Sequence, residues 1–188
     1  MKNYKRTIFS WSIYDFANQP FTTIILTFIY STFFVDFIAL DGESGAVMWG
    51  RTVSISAILI ALLSPIMGAI ADYGGYRKIF LIFWTWVCII FSYLLYYPQQ
   101  GDIYYSLLFF CIANVGFEMG GVFLNAYLPS IAPKDKIGRI SGYGWSFGYV
   151  GGLIALCICF ILFIQPENPI NPFTGNLLNK LSGEHIRI

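Results

Sequence analysis

Apolar residues run along this chain in long blocks, and polar residues gather in the short stretches between them. A helix needs roughly 20 largely apolar residues to cross a bilayer. Five blocks meet that need, at about 8–38, 48–71, 79–97, 103–128 and 141–164. The pattern predicts an all-α fold, a polytopic bundle of about five transmembrane helices. The first block is interrupted by Asp15, Asn18, Gln19 and Pro20, which excludes the unbroken apolar centre of a cleavable signal peptide. A polar loop is expected at 40–47, a glycine-rich one at Asp72–Lys78, and a turn at Pro98–Asp102. Pro129 and Pro133 are expected to stop the fourth helix ahead of a charged loop with Lys134, Lys136 and Arg139. Residues 1–164 therefore form one membrane unit, and 165–188 a polar tail with a short amphipathic turn at 177–181.

Composition narrows the class. Of 188 residues, 57% are hydrophobic and 11% charged, where a soluble domain carries about a quarter charged residues. A soluble enzyme is excluded. A net charge of +1 offers no basic field for nucleic acid. Threading five spans puts Lys2, Lys5, Arg6, Arg77, Lys78, Lys134, Lys136 and Arg139 on one side, and only Arg51, Lys180 and Arg187 on the other. The positive-inside rule then places the N-terminus in the cytoplasm and the tail outside, in a multi-pass protein of the cytoplasmic membrane. Cys88, Cys111, Cys157 and Cys159 lie within apolar blocks and act as small hydrophobes. With a lone His185 and no HExxH, no metal, cofactor or enzymatic activity is expected. Trp11, Trp49, Tyr96, Tyr97 and Tyr143 fall near span ends and are expected to form interfacial belts.

Polar side chains inside the spans are the candidate chemistry, because a charge at the bilayer centre costs about 2.5–3.5 kcal/mol on insertion scales. On the fourth span Glu118 lies about 40° and Asn125 about 20° around the helix from Asn114. One stripe of this kind lines a cavity, with Glu118 as solute contact or proton carrier, or else makes interhelical hydrogen bonds. The first span repeats the device with Asp15, Asn18 and Thr22 around Pro20, which frees a carbonyl one turn earlier. Asp15 is a cavity residue there, or an interfacial charge paired with a basic loop. Gly144, Gly148 and Gly152 repeat at four-residue spacing on the fifth span, the pattern of tight helix packing.

The strongest local signal is the loop Gly68-Ala-Ile-Ala-Asp72-Tyr-Gly-Gly75-Tyr-Arg77-Lys78. Gly68, Asp72, Gly75, Arg77 and Lys78 resemble the loop signature of the major facilitator superfamily, and Tyr73 departs from it where that family has a basic residue. Its glycines allow a tight turn, and Asp72 is expected to cap the next helix. Three further blocks, Trp11–Phe21, Asn125–Pro133 and Ile140–Gly152, are similar to the vacuole-effluxer-like branch of that superfamily. Its eukaryotic members are vacuolar amino-acid effluxers linked to autophagy. The resemblance implies a segment of a secondary transporter for small polar solutes, with amino acids favoured, Glu118 the candidate for proton coupling, and the motif loop gating the cytoplasmic side. It also implies that the chain is an N-terminal portion. The tail would lead toward a missing sixth span, and a C-terminal half or partner chain would complete the site within the bilayer. The alternative is a truncated, non-transporting membrane interaction protein.

Overall fold

In the computed structural model, which describes residues 2–39 and 41–164, all regular structure is helical. Five helices are long and apolar enough to span a membrane: α1 (Lys5–Ile38), α2 (Gly42–Gly74), α3 (Arg77–Leu94), α4 (Ile103–Ile131) and α5 (Ile137–Leu162). The chain is an all-α, multi-pass membrane protein. The tail 165–188, with the turn expected at 177–181, lies outside the described residues.

Several boundaries differ from the sequence expectation, each for a local reason. Most of the expected loop at 40–47 is the start of α2, whose first turn carries Glu43, where an acid favours the helix dipole. Gly45 belongs there because a Cβ would come within 2.8 Å of the Ala39 methyl. The third helix ends at Leu94 instead of Tyr97, and the chain closes in turns from Tyr93 to Tyr96 and Leu94 to Tyr97 before Pro98. Pro129 does not stop α4. The long helix already ends at Asn125, and Pro129 sits in the first turn of a one-turn helix, Leu128–Ile131, where its missing N–H costs nothing. α5 starts at Ile137, before the expected Ser141.

α1 changes its winding where Pro20 interrupts it. Beyond Asn18 the helix continues in the wider π form over Phe21–Phe28, returns to α over Ile29–Phe33, and widens again over Phe34–Ile38. Pro20 cannot donate to the Phe16 carbonyl. The Gln19 carbonyl instead collects the hydroxyls of Thr22 at 2.8 Å and Thr23 at 3.4 Å.

Lipid tails are as apolar as leucine, so helices in a membrane associate through close packing and hydrogen bonds. α4 is the central strut: half of its most apolar stretch is buried, against 6–17% in the other spans. It meets α3 at Gly116, where a Cβ would stand 2.8 Å from the Cys88 backbone nitrogen. Trp49 of α2 stacks on Phe110 at 4.0 Å, and Phe21 of α1 on Phe117 at 5.0 Å. Tyr30 of α1 bonds Ser106 at 2.7 Å. Tyr14 donates to Thr85 of α3, whose own hydroxyl is committed to the Leu81 carbonyl.

α5 lies against α1 along a seam of glycines. A Cβ on Gly144 would overlap the Trp11 ring, one on Gly151 the Phe16 carbonyl, and one on Gly152 the Thr23 hydroxyl. A Cβ on Gly148 would stand 3.0 Å from the Asp15 carboxylate. The carbonyl that Pro20 leaves without its usual donor thus faces the residue with no side chain. Trp11 and Trp49 correct the belt expectation. Both are buried; Trp11 donates to the Leu124 carbonyl at 3.0 Å, and Trp49 is core. Tyr96, Tyr97 and Tyr143 are exposed as expected.

Candidate functional site

Between α1, α4 and α5 lies a cleft of about 210 Å³. Asp15, Asn18, Gln19 and Thr22 line it from α1, Glu118, Gly121 and Asn125 from α4, and Trp145 from α5. The helix period explains the α1 wall: 15, 18, 19 and 22 fall on one face. Gly148 makes room for the Asp15 carboxylate, and Gly121 opens the α4 wall, with nothing within 4 Å of where its Cβ would be. Glu118 lies inside the long helix of α4, about 22 Å from its start at Ile103 and about 10 Å from its end at Asn125 at 1.5 Å per residue.

Among the described residues, no hydrogen bond or ion pair reaches the side chains of Asp15, Asn18, Gln19, Glu118 or Asn125. Asp15 is half-buried, and Glu118 and Asn125 are open to the cleft. Unpaired carboxylates and amides are not left against hydrocarbon, where each unmet polar group costs several kcal/mol. They need a polar partner, whether water, a solute or further polypeptide. A groove of about 420 Å³ runs on along α1 and α5, sharing Gln19 and Thr22 and adding Thr23, Thr27 and Tyr149. Polar side chains thus track one face of α1 for about three turns.

Four of the five residues singled out by sequence meet here, and Asn114 does not. It is 5% exposed and points between α4 and α2, where its Nδ2 donates to Ser56 at 2.8 Å; Ser56 in turn donates to the Val53 carbonyl. Among the described residues, the Asn114 Oδ1 has no hydrogen-bond partner. Gln19, Phe117 and Trp145 line the cleft without having been singled out. Gln19 lay beside Asp15 and Asn18 in the same interruption of the first block, and that was its available signal. Trp145 follows Gly144, the residue that brings α5 onto α1, but an aromatic at membrane depth carries no signal of its own.

The loop motif closes one end of the bundle. Gly75 takes the left-handed conformation, φ 67°, that ends α2, and glycine adopts it without steric cost. Asp72 does not cap α3, as expected from sequence. Its carboxylate accepts from Arg77 Nε at 2.7 Å, because Arg77 stands within reach at the start of α3. The same guanidinium donates through Nη1 to the Ala126 carbonyl at 3.1 Å, at the C-terminal end of the long helix of α4. That end leaves carbonyls unpaired and carries the negative end of the helix dipole, so a cation is favoured there. Lys78 is exposed, and Gly68 has open space where a Cβ would be.

The family described as "Vacuole effluxer Atg22 like" matches residues 44–139, just over half of the chain. The chain belongs to the Atg22-like vacuole-effluxer family. The matched stretch holds the loop motif, Asn114 and the α4 wall of the cleft. An uncharacterised MFS-type transporter of Bacillus subtilis is 28% identical over 185 residues, 97% of this chain and 43% of that protein. An uncharacterised protein of Aquifex aeolicus is 31% identical over 162 residues, 84% of this chain and 39% of its own. Autophagy-related protein 22 of Chaetomium globosum is 32% identical over 78 residues, 42% of this chain and 12% of its own. The chain therefore spans about two fifths of the length of these two bacterial relatives. No solved structure matches.

Proposed function

We propose that this Atg22-like chain is the N-terminal portion, over residues 1–164, of a major-facilitator-type secondary transporter that moves small polar solutes, in particular amino acids leaving the cytoplasm. The single observation that carries the reading is the cleft between α1, α4 and α5. It presents two carboxylates and three amides at membrane depth, none bonded within the described chain. A packing device would bond across to a neighbouring helix, as the Asn114 Nδ2 does to Ser56. Asp15, Asn18, Glu118 and Asn125 hold the solute. Glu118 carries the coupled proton. The groove along α1 is the route onward, and α5 moves against α1 on the glycine seam, since flat glycine faces leave few side chains to disengage. The motif loop holds the cytoplasmic end, where Arg77 bridges α2, α3 and α4. The eight basic residues of the N-terminus and the two motif-side loops set the N-terminus in the cytoplasm, in the cytoplasmic membrane.

The test is uptake of labelled amino acids into everted membrane vesicles bearing the protein, with and without an imposed pH gradient. The gradient is expected to drive accumulation, and Glu118→Gln is expected to remove the gradient-driven part while leaving solute exchange. Unchanged gradient-driven accumulation in Glu118→Gln would overturn the proton-carrier assignment.

A further inference from the structure

The two ends of the cleft differ. Away from the motif loop, the groove along α1 and α5 carries on past Thr23 and Thr27 to Phe28 and Leu156. Toward the motif loop stands a buried apolar cluster that includes Trp11, Leu124, Leu128 and Ile140. All three cleft helices contribute to it, next to their cleft residues. Trp11 lies one turn before Asp15 on α1, Leu128 follows Asn125 by three residues on α4, and Ile140 precedes Trp145 by five on α5. Trp11 joins the three. Its indole N–H donates to the Leu124 carbonyl at 3.0 Å, beside Asn125. Its ring fills the space that a side chain on Gly144 would take, beside Trp145. A polar solute passing this point would shed its water against apolar groups and gain no partner in return.

Two features make the ring removable. The Leu124 carbonyl also accepts the Tyr127 backbone N–H at 3.2 Å, so it keeps a partner when the indole leaves. Gly144, which seats the ring, belongs to the glycine seam between α1 and α5, so a shift of α5 along that seam takes the seat away. We infer that Trp11 is the gate of the cleft on the motif side. With α5 seated, the ring closes that end, and the cleft is reached through the groove along α1 and α5. When α5 shifts, the ring is released and the motif-side end opens. The inference rests on the reading of the cleft as the solute site, and adds which residue closes it and at which end.

The experiment is thiol labelling by a membrane-impermeant, charged maleimide, in vesicles of either orientation bearing the protein. The reporter is Gly121→Cys, on the α4 wall of the cleft, where a Cβ meets nothing within 4 Å. Its labelling is counted above that of the parent chain, which keeps its own cysteines. Tyr73→Cys, in the motif and 99% exposed, marks the motif face. A cleft reached from one face only through a minor open state, about 0.1–10% populated, labels from that face at least about tenfold more slowly. The slow rate is expected from the motif face and the fast one from the opposite face. Trp11→Ala is expected to raise the motif-face rate about tenfold and leave the opposite-face rate unchanged. Trp11→Phe, which keeps a ring and loses the N–H, is expected to fall between the two. Equal rates from both faces in the reporter chain, or a faster rate from the motif face, would overturn the gate and leave the cleft standing as a solute site. So would a motif-face rate that Trp11→Ala leaves unchanged, or a rise at both faces alike. Labelling of the cleft from neither face, while Tyr73→Cys labels normally, overturns the gate and the reading of the cleft together.

Discussion

Asn114 and Glu118 stand one turn apart on α4, and the bundle uses them in opposite ways. Asn114 is buried and bonded to Ser56 across the α2 interface. Glu118 opens into the cleft with no partner among the described residues. Both are polar side chains at membrane depth, and on the helix wheel they differ by about 40°. That angle carries the helix surface from the α2 contact to the cleft. A polar residue inside a membrane is therefore not a functional residue on that ground alone. What separates the two is whether the protein itself supplies the hydrogen-bond partner.

Three substitutions sharpen this contrast, read as unfolding free energies from denaturant titration in mixed micelles. The largest effect is expected where α5 rests directly on the backbone of α1. Gly151→Ala would drive a methyl into the Phe16 carbonyl, a backbone atom, and is expected to destabilise by on the order of 3 kcal/mol. A loss under 1 kcal/mol would mean that α5 can shift away from α1 at little cost. Asn114→Ala removes an interhelical hydrogen bond and leaves a small void, with an expected loss of about 1–2 kcal/mol and no change in solute binding. Weakened solute binding in that variant would place Asn114 back among the cleft residues. Smallest of all, Glu118→Gln is expected to change stability by less than about 0.5 kcal/mol, since it breaks no bond among the described residues. A large loss there would make Glu118 a packing residue and erase the contrast.

Much of this architecture was legible in the sequence because it is written locally. Span lengths follow from block length, a close-packed face on α5 from the four-residue repeat of Gly144, Gly148 and Gly152, and the turn at Gly75 from its place in the motif. What was not legible depended on the rotation of one helix against its neighbours. The stripe on α4 set Asn114 within about 40° of Glu118 and Asn125, yet nothing in it said that α2 would cover Asn114 and leave the others. Trp11 and Trp49 lay near the span ends, where interfacial rings gather, and the same rings fill space between helices when a glycine or a phenylalanine faces them. Trp145 and Gln19 escaped notice for the reverse reason. Neither is charged, and only the approach of α5 to α1 brings them to the same opening.

Arg77 binds two partners that are made at different times. Asp72 precedes it by five residues, whereas the Ala126 carbonyl follows it by 49. Chains emerge from the ribosome N-terminus first, at about 5–20 residues per second, so the hairpin of α2 and α3 exists for seconds before the end of α4 does. The near partner comes from the same hairpin, and the far one needs the end of α4 in place. One guanidinium thus joins a contact local in sequence to a contact distant in sequence, so the hairpin turn and the end of α4 share a single fastening.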